Sequence, residues 1–350
     1  MPETIVKEDD TVFTQKKRAA LLAGVAAAAL VMSGCSSAAE ATDTATVGAS
    51  DDTLILDIAG PLTDPFFGAS KAGSDAAAEE LGINYEYIAS KDFTDIVAVY
   101  TKIMEAAIGR NPDAIVVGNY FPDALSPLIK KATEQGIVVV VTNSGRDTWR
   151  DLGAIGFVGE DPVAMGAEAG AQAVAAGATR GLCVNTVQGN PTLEARCRGY
   201  QEALEAAGGS ATTLQIASED GQNDSKIQQA VAGALLADPE IDDIFTLGAG
   251  PGLAALAAVE QVDKVGIVKV GTCDLSTAAL ESIKEGGLSY LIDQQPFLQG
   301  YYGLLVAHQF LKYGLKPASE IDTGPLVINV DNVDEVLEVG LNYPGIRGAS

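Results

Sequence analysis

Short apolar runs alternate with longer amphipathic stretches along most of this chain. Residues 54–58, 85–89, 114–117, 138–142 and 155–158 are compact apolar-rich runs, and several are apolar throughout. A strand apolar on both sides suits a parallel sheet covered by helices on both faces. Between these runs, residues 68–81, 95–110 and 123–135 carry apolar side chains at helical spacing. A second series follows, with strands predicted at 182–185, 212–217, 244–247, 267–270 and 288–292. Its helices are predicted at 165–176, 192–207, 226–237, 252–262 and 277–285. Strand–helix alternation implies right-handed crossovers and parallel sheets. Two such series predict an α/β fold of two doubly wound parallel-sheet lobes. No sequence repeat accompanies them.

The first 52 residues follow neither pattern. Lys16, Lys17 and Arg18 precede an apolar run over 19–32, shorter than the roughly 20 residues that a membrane span needs. Positive charge, a short apolar run and small residues make a secretory signal. Ser33-Gly34-Cys35 resembles a lipobox, with Met32 where Leu is commoner, which places cleavage before Cys35 and lipid on its thiol. Residues 36–52 are rich in Ala, Ser and Thr with almost no large apolar residue, the composition of a flexible tether. The expected division is therefore a signal peptide over 1–34 and a tether over 35–52. The body beyond is long enough for two cores.

Charge narrows the partners. The chain carries a formal charge of −25, and residues 1–34 hold as many acids as bases, so the chain from Cys35 onward keeps all of it. Such a surface repels phosphate backbones, which argues against nucleic-acid binding. The single histidine, His308, lies in an apolar helical stretch and reads as a packed or surface residue. Histidine triads and multi-histidine metal sites have little to draw on. There is no Walker-type phosphate loop and no Cys-x-x-Cys pair. No cofactor, metal or catalytic residue is predicted.

Ligands of doubly wound sheets sit beyond the carboxyl ends of the strands. The residues at those ends are Asp64-Pro65-Phe66-Phe67, Asn119-Tyr120-Phe121, Asn143-Ser144, Gly159-Glu160-Asp161, Gln188-Gly189-Asn190, Gly248-Ala249-Gly250, Asp274 and Gln294-Gln295. Carboxylates and amides pair with vicinal hydroxyls, and aromatic faces cover the C–H faces of a ring, so this is sugar-site chemistry. Each piece also has a plainer role. Asp64 with Pro65 suits a helix start, and Asn143-Ser144-Gly145 suits a turn. Arg196 and Arg198 cannot share a helix face, so one can meet a cleft while the other meets solvent. Gly248-Ala249-Gly250-Pro251-Gly252 resembles a dinucleotide turn, but Leu253 stands where the third glycine belongs. An exported NAD-binding oxidoreductase is thus a weaker alternative. With Cys35 lipidated, Cys183, Cys197 and Cys273 remain. Cys183 lies in a predicted strand and Cys197 in the helix after it, and a bond between them would leave Cys273 unpaired.

Taken together, residues 53–329 resemble the ribose-type periplasmic binding proteins, the sugar-binding components of ABC importers. The matching segments are 64–67, 189–200, Gly271-Thr272-Cys273-Asp274-Leu275-Ser276, and 292–296 with 298–301. The resemblance implies that Asp64, Asp274 and Gln294 bond sugar hydroxyls and that Phe66 and Phe67 flank the ring. It implies that Arg196 bridges hydroxyls or the ring oxygen. Asn143 stands at a position often held by Asp, and Asn223 lies near a position that carries a stacking Phe. Asn119, Ser144 and Asn190 complete the expected ligand set. Two departures mark a remodelled site: Ser144 stands where the ribose type has a second arginine, and Gly248 or Ala249 replaces an Asn. A polyol or another monosaccharide is therefore expected rather than ribose.

The resemblance further implies a three-segment hinge, with crossings near 159–161, 294–296 and 323–325. The N-terminal lobe is then 53–159 plus 296–323, and the C-terminal lobe 160–295 plus 325–346. Together with the lipobox at Cys35, it implies a lipid-anchored, monomeric receptor on the extracytoplasmic face of the membrane, delivering its solute to an ABC permease. A sensory sugar or autoinducer receptor of the same fold is the alternative.

Overall fold

A computed structural model describes residues 53–348. The signal peptide, the lipidation at Cys35 and the tether expected from the sequence fall outside the described residues.

The first sheet grows from the apolar runs at the start of the body. It contains β1 (Ile55–Ala59), β2 (Tyr85–Ala89), β3 (Ala114–Val117), β4 (Val138–Asn143) and β5 (Gly156–Gly159). They are linked through α1 (Pro65–Leu81), α2 (Ile96–Gly109) and α3 (Pro122–Glu134). The chain then builds a second sheet from β6 (Arg180–Asn185), β7 (Ser210–Gln215), β8 (Asp243–Thr246), β9 (Lys269–Cys273) and β10 (Tyr290–Asp293). Its helices are α4 (Pro162–Ala175), α5 (Pro191–Ala206), α6 (Asp224–Ala237), α7 (Ala249–Gln261) and α8 (Thr277–Lys284). The remaining elements are α9 (Pro296–Tyr313), β11 (Ile321–Asp322), β12 (Leu326–Ile328) and α10 (Val333–Asn342).

Strand order is β11-β5-β4-β3-β1-β2 in one sheet and β12-β10-β9-β8-β6-β7 in the other. All pairings are parallel except β10 with β12. The chain passes between sheets after β5, after β10 and between β11 and β12. Each lobe is an α/β layer structure. Central strands β1, β3 and β8 are buried along their whole length, whereas edge strands β2 and β7 are half-exposed. That contrast explains the near-continuous apolar composition of the central runs.

Some boundaries differ from the sequence pattern. The strand expected at 267–270 begins at Lys269, because Asp263 and Gly266 take positive φ and fold the preceding residues into turns. Ile267 is left exposed there. The strand expected at 212–217 runs over Ser210–Gln215, and short strands β11 and β12 were not anticipated.

Each lobe also has one very close helix pair, α1 with α9 and α4 with α5. A Cβ on Gly73 would lie 1.9 Å from the carbonyl oxygen of Phe297, and one on Gly166 would lie 1.9 Å from that of Arg196. Only glycine allows these backbones to touch, and the second contact fixes the helix that carries Arg196. That helix is also tied to β6 by a Cys183–Cys197 disulfide, while Cys273 is a buried free thiol. Among the described residues, no helix is long and apolar enough to cross a membrane. His308 is buried in α9.

Candidate ligand-binding site

The carboxyl ends of the two sheets face one cavity of about 390 Å³. The first lobe lines it mainly with rings. Phe66 and Phe67 come from the first turn of α1, Tyr100 from α2, and Tyr120 and Phe121 from the segment after β3. The rings form a contiguous wall. Phe66 meets Phe67 edge-on at 5.0 Å between centroids, Phe67 meets Tyr120 at 6.2 Å, and Tyr100 meets Tyr120 at 5.4 Å. Gly60, just after β1, leaves room for the Phe67 ring, since a Cβ there would fall 2.0 Å from it.

Asp64 has two roles. Its Oδ1 accepts the Phe66 N–H at 3.0 Å and caps α1, and the residue also lines the cavity. Burial raises its pKa, held back by that backbone bond. Asn143, the last residue of β4, and Asp274, immediately after β9, both adopt positive φ, at 60° and 64°. Short polar Asn and Asp side chains tolerate this region better than most, and the strand ends there with the side chain at the cavity.

The second lobe supplies most of the polar groups. Arg196 projects from the buried face of α5 and is 2% exposed. Its Nε and Nη2 donate to Glu160 Oε1 at 3.1 and 2.6 Å, and Nη2 also donates to Gln294 Oε1 at 3.0 Å. Burial pushes the Glu160 carboxyl up, with Arg196 opposing the shift. Burial works against the Arg196 charge, but the surrounding acidic groups, Glu160 foremost and then Cys273 and Asp274, together outweigh it and the guanidinium stays charged.

Gln294 is the centre of the network. Its Oε1 accepts from Asn143 Nδ2 at 3.0 Å as well as from Arg196, and its Nε2 donates to Asp274 Oδ1 at 2.6 Å. One amide therefore links β4 of the first lobe to α5 and β9 of the second. Asn143 Nδ2 also reaches Gln299 Oε1 at 3.2 Å. Burial pushes Asp274 up to about 7, against the opposing Arg196 charge and Gln294 bond.

Asp64, Phe66, Phe67, Asn143, Asn190, Arg196, Asp274 and Gln294 thus share one cavity. Three residues of the expected set do not line it. Asn119 is fully buried and donates to Ser126 and Thr148 hydroxyls at 3.0 and 3.1 Å. Ser144 is buried with its hydroxyl 2.7 Å from that of Thr192, a direct bond between the lobes. Asn223 caps α6 by accepting the Lys226 N–H, while its neighbours Gln222 and Asp224 reach the cavity. Phe93, Tyr100 and Thr186 line it without having been singled out, and Leu193 and Ser276, which belong to the matching segments, line it without having been expected as ligand residues. Tyr100 sits at a regular buried position of α2 and reads as ordinary core. The 248–251 glycine turn lines the cavity as well, where the Gly248 carbonyl accepts from Thr272 Oγ1 at 2.6 Å. Among the described residues, no cluster of His, Cys, Asp or Glu could hold a metal ion.

Two doubly wound lobes, three chain crossings and one polar cavity between facing strand ends are the architecture of a type 1 periplasmic binding protein. The model of the periplasmic binding protein domain matches residues 58–316, and the chain belongs to that family. A xylose/arabinose-binding protein of Sulfolobus acidocaldarius is 27% identical over 291 residues, which cover 79% of this chain and 70% of the relative. A D-ribose/D-allose-binding protein of Pseudomonas aeruginosa is 29% identical over 271 residues, covering 75% and 82%. Among solved structures, a carbohydrate transporter from Acidothermus cellulolyticus, in complex with myo-inositol, matches with a TM-score of 0.76. It is 30% identical, and the match covers 84% of this chain and 99% of that one.

Proposed function

We propose that this chain is the extracytoplasmic solute-binding component of an ABC importer and captures a monosaccharide or polyol between its lobes. The observation that carries this reading is the Asn143–Gln294–Asp274/Arg196 network set opposite a wall of aromatic rings. The amides, carboxylates and guanidinium suit a row of hydroxyls, and the rings suit the C–H faces between them. Nothing in this set is arranged to make or break a bond. Ligand binding shifts an equilibrium between open and closed lobes, and the closed form is what a permease would engage.

A polyol or cyclitol is favoured over ribose. The support is the single cavity arginine, the glycine turn at 248–251, and the myo-inositol complex of the 30%-identical neighbour. A xylitol-binding protein of Mycolicibacterium smegmatis, 24% identical over 93% of this chain, points the same way. The export signal and the lipobox at Cys35 support a receptor tethered to the outer face of the membrane.

The test is a thermal-shift screen of the purified protein against pentoses, hexoses, tetritols, pentitols and myo-inositol. A ligand at about 100 times its Kd stabilises by roughly 2.7 kcal/mol, which raises the melting temperature of a roughly 300-residue body by about 4 °C. No shift with any of them, and no small molecule copurifying, would overturn the proposal.

A further inference from the structure

Three side-chain amides, those of Asn143, Gln294 and Gln299, meet where the chain crosses between the lobes. Their directions are fixed by neighbours that can only donate or only accept. Arg196 is purely a donor, so the Gln294 atom 3.0 Å from its Nη2 is the oxygen Oε1. The Gln294 Nε2 then faces Asp274 Oδ1 at 2.6 Å. Gln299 is fixed independently. Its Nε2 lies 3.2 Å from the Gln294 carbonyl oxygen and 3.2 Å from Thr323 Oγ1, a hydroxyl whose own hydrogen is directed at the Gln294 and Gly159 carbonyls. Its Oε1 is therefore turned toward Asn143.

Asn143 thus faces two acceptors, Gln294 Oε1 at 3.0 Å and Gln299 Oε1 at 3.2 Å, and meets both with Nδ2. Both of its amide hydrogens are used. What remains is Oδ1, to which nothing donates among the described residues, on a side chain that lines the cavity. Gln299, at the end of the first turn of α9, is 1% exposed and does not line the cavity. The same pair of acceptors explains why Asn stands at a position that the ribose type often fills with Asp. A carboxylate oxygen there would point at two other oxygens.

We infer that Gln299 is a positioning residue: together with Gln294 it holds the Asn143 amide with Oδ1 toward the cavity, where it accepts from a solute hydroxyl. The inference rests on the receptor reading above and narrows its solute. The group opposite Asn143 must be a hydroxyl, since an ether, ring or carbonyl oxygen has no hydrogen to give. Without Gln299 the Asn143 amide keeps one acceptor and is free to turn, and affinity falls about tenfold, the worth of one such bond. Asn143→Asp separates this arrangement from simple contact. It keeps an acceptor for the solute, so contact alone predicts native affinity. The opposed Gln294 and Gln299 oxygens instead predict a loss of about tenfold or more.

The test combines binding with a spectroscopic signature. Calorimetry titrates myo-inositol, xylitol and D-ribose into the native chain, Gln299→Met, Gln299→Glu, Asn143→Ala, Asn143→Asp, and Asn143→Ala combined with Gln299→Met. NMR of protein carrying isotope-labelled asparagine follows the side-chain amide hydrogens of Asn143, identified as the pair missing from Asn143→Ala. Support is a native pair that exchanges slowly with solvent and exchanges faster in Gln299→Met, with binding weakened about tenfold there and in Asn143→Asp. Gln299→Glu, a buried acid that keeps its proton and still offers Asn143 an oxygen, restores most of both. Gln299→Met causes no further loss when added to Asn143→Ala. A role confined to folding would weaken the native and Asn143→Ala chains equally, and that result overturns the inference. Native affinity in Gln299→Met or in Asn143→Asp overturns it as well. If circular dichroism shows that Gln299→Met does not fold, Asn143→Asp decides. A native chain that binds none of the three solutes counts against the receptor reading, and the exchange rates then judge the positioning by Gln299.

Discussion

Replacing Arg196 separates the contribution of the buried ion pair to stability from its contribution to binding. Arg196 and Glu160 are both buried, and the second oxygen of Glu160 has no hydrogen-bond partner. Arg196→Met preserves bulk but leaves the carboxylate without its cation. Removing one partner of a buried pair costs about 3–5 kcal/mol, whereas replacing both by neutral groups is often close to neutral. For a body of roughly 300 residues, that loss lowers the melting temperature by about 5–8 °C. The lone Glu160 responds by holding its proton to higher pH. Its folded pKa, already raised by burial, rises further. The folded state then keeps a proton that the unfolded chain releases, so the variant loses stability as pH rises and is least impaired in acid. Adding Glu160→Gln removes the buried charge and restores most of the melting temperature. Sugar binding is not restored, because the guanidinium facing the cavity is still missing. Denaturant unfolding and sugar titration of both variants test this. If the double variant is no more stable than Arg196→Met, the buried-pair reasoning fails. If Arg196→Met binds sugars like the native chain, Arg196 is not a ligand contact.

Three further outcomes follow from other parts of the structure. Asp243 is buried against Tyr200, which donates to it at 2.6 Å, and burial raises its pKa to about 7; burial likewise raises Asp57, bonded to Ser74, to about 6. Unfolded, both ionise near the ordinary value, so the folded state holds extra protons from roughly pH 4 to 7. Their stabilisation is fully present below that window and is lost as pH rises through it, by up to about 1.4 kcal/mol per pH unit per group. Asp243→Asn should flatten the slope measured by urea unfolding between pH 4.5 and 7.5. Substituting both Cys183 and Cys197 by Ala removes a crosslink of sequence separation 14, worth about 3 kcal/mol in the chain-entropy model. It should lower the melting temperature by about 5 °C, and an unchanged value would show that the bond does not form in the exported protein. Asp274→Asn keeps the bond from Gln294 but removes a carboxylate open to the cavity. It should weaken polyol binding at least tenfold by calorimetry with little loss of fold.

The two-lobed architecture was legible because buried parallel strands leave uninterrupted apolar runs, as at 114–117 and 138–141. Strand ends then pointed to Asp64, Asn143, Asp274 and Gln294. Adjacency to a strand end does not fix the direction of a side chain, however. Asn143 ends β4 and Asn119 lies two residues past β3 in the same sheet, yet Asn119 is turned inward to two hydroxyls while Asn143 faces the cavity. Tyr100 and Phe93 escaped notice because they come from helix α2 and the loop before it, where an aromatic reads as core. The strands β11 and β12 are two and three residues long, too short for any periodicity to appear. The ion pair between Arg347 and Asp293 was illegible for a related reason, since nothing about Arg347 in sequence indicates a partner 54 positions away.

The two lobes divide the chemistry unequally, and that division bears on how closure and recognition are coupled. The aromatic wall belongs to the first lobe, whereas Arg196 and Asp274 belong to the second. A solute resting on the rings alone would gain apolar contact but satisfy few of its hydroxyls. Closing the lobes brings the polar groups to it, so hydroxyl recognition itself favours the closed state. Gln294 makes this coupling tighter. It lies in a crossing segment, and its backbone carbonyl accepts from Thr323 Oγ1 at 2.7 Å, a hydroxyl that also bonds the Gly159 carbonyl at 3.1 Å. All three crossings therefore meet at the residue whose side chain joins Asn143 to Arg196 and Asp274. A change at Gln294 should thus alter the hinge and the ligand contacts together. Asp274→Asn, by contrast, should change affinity while leaving the lobe distance of the sugar-free protein where it was.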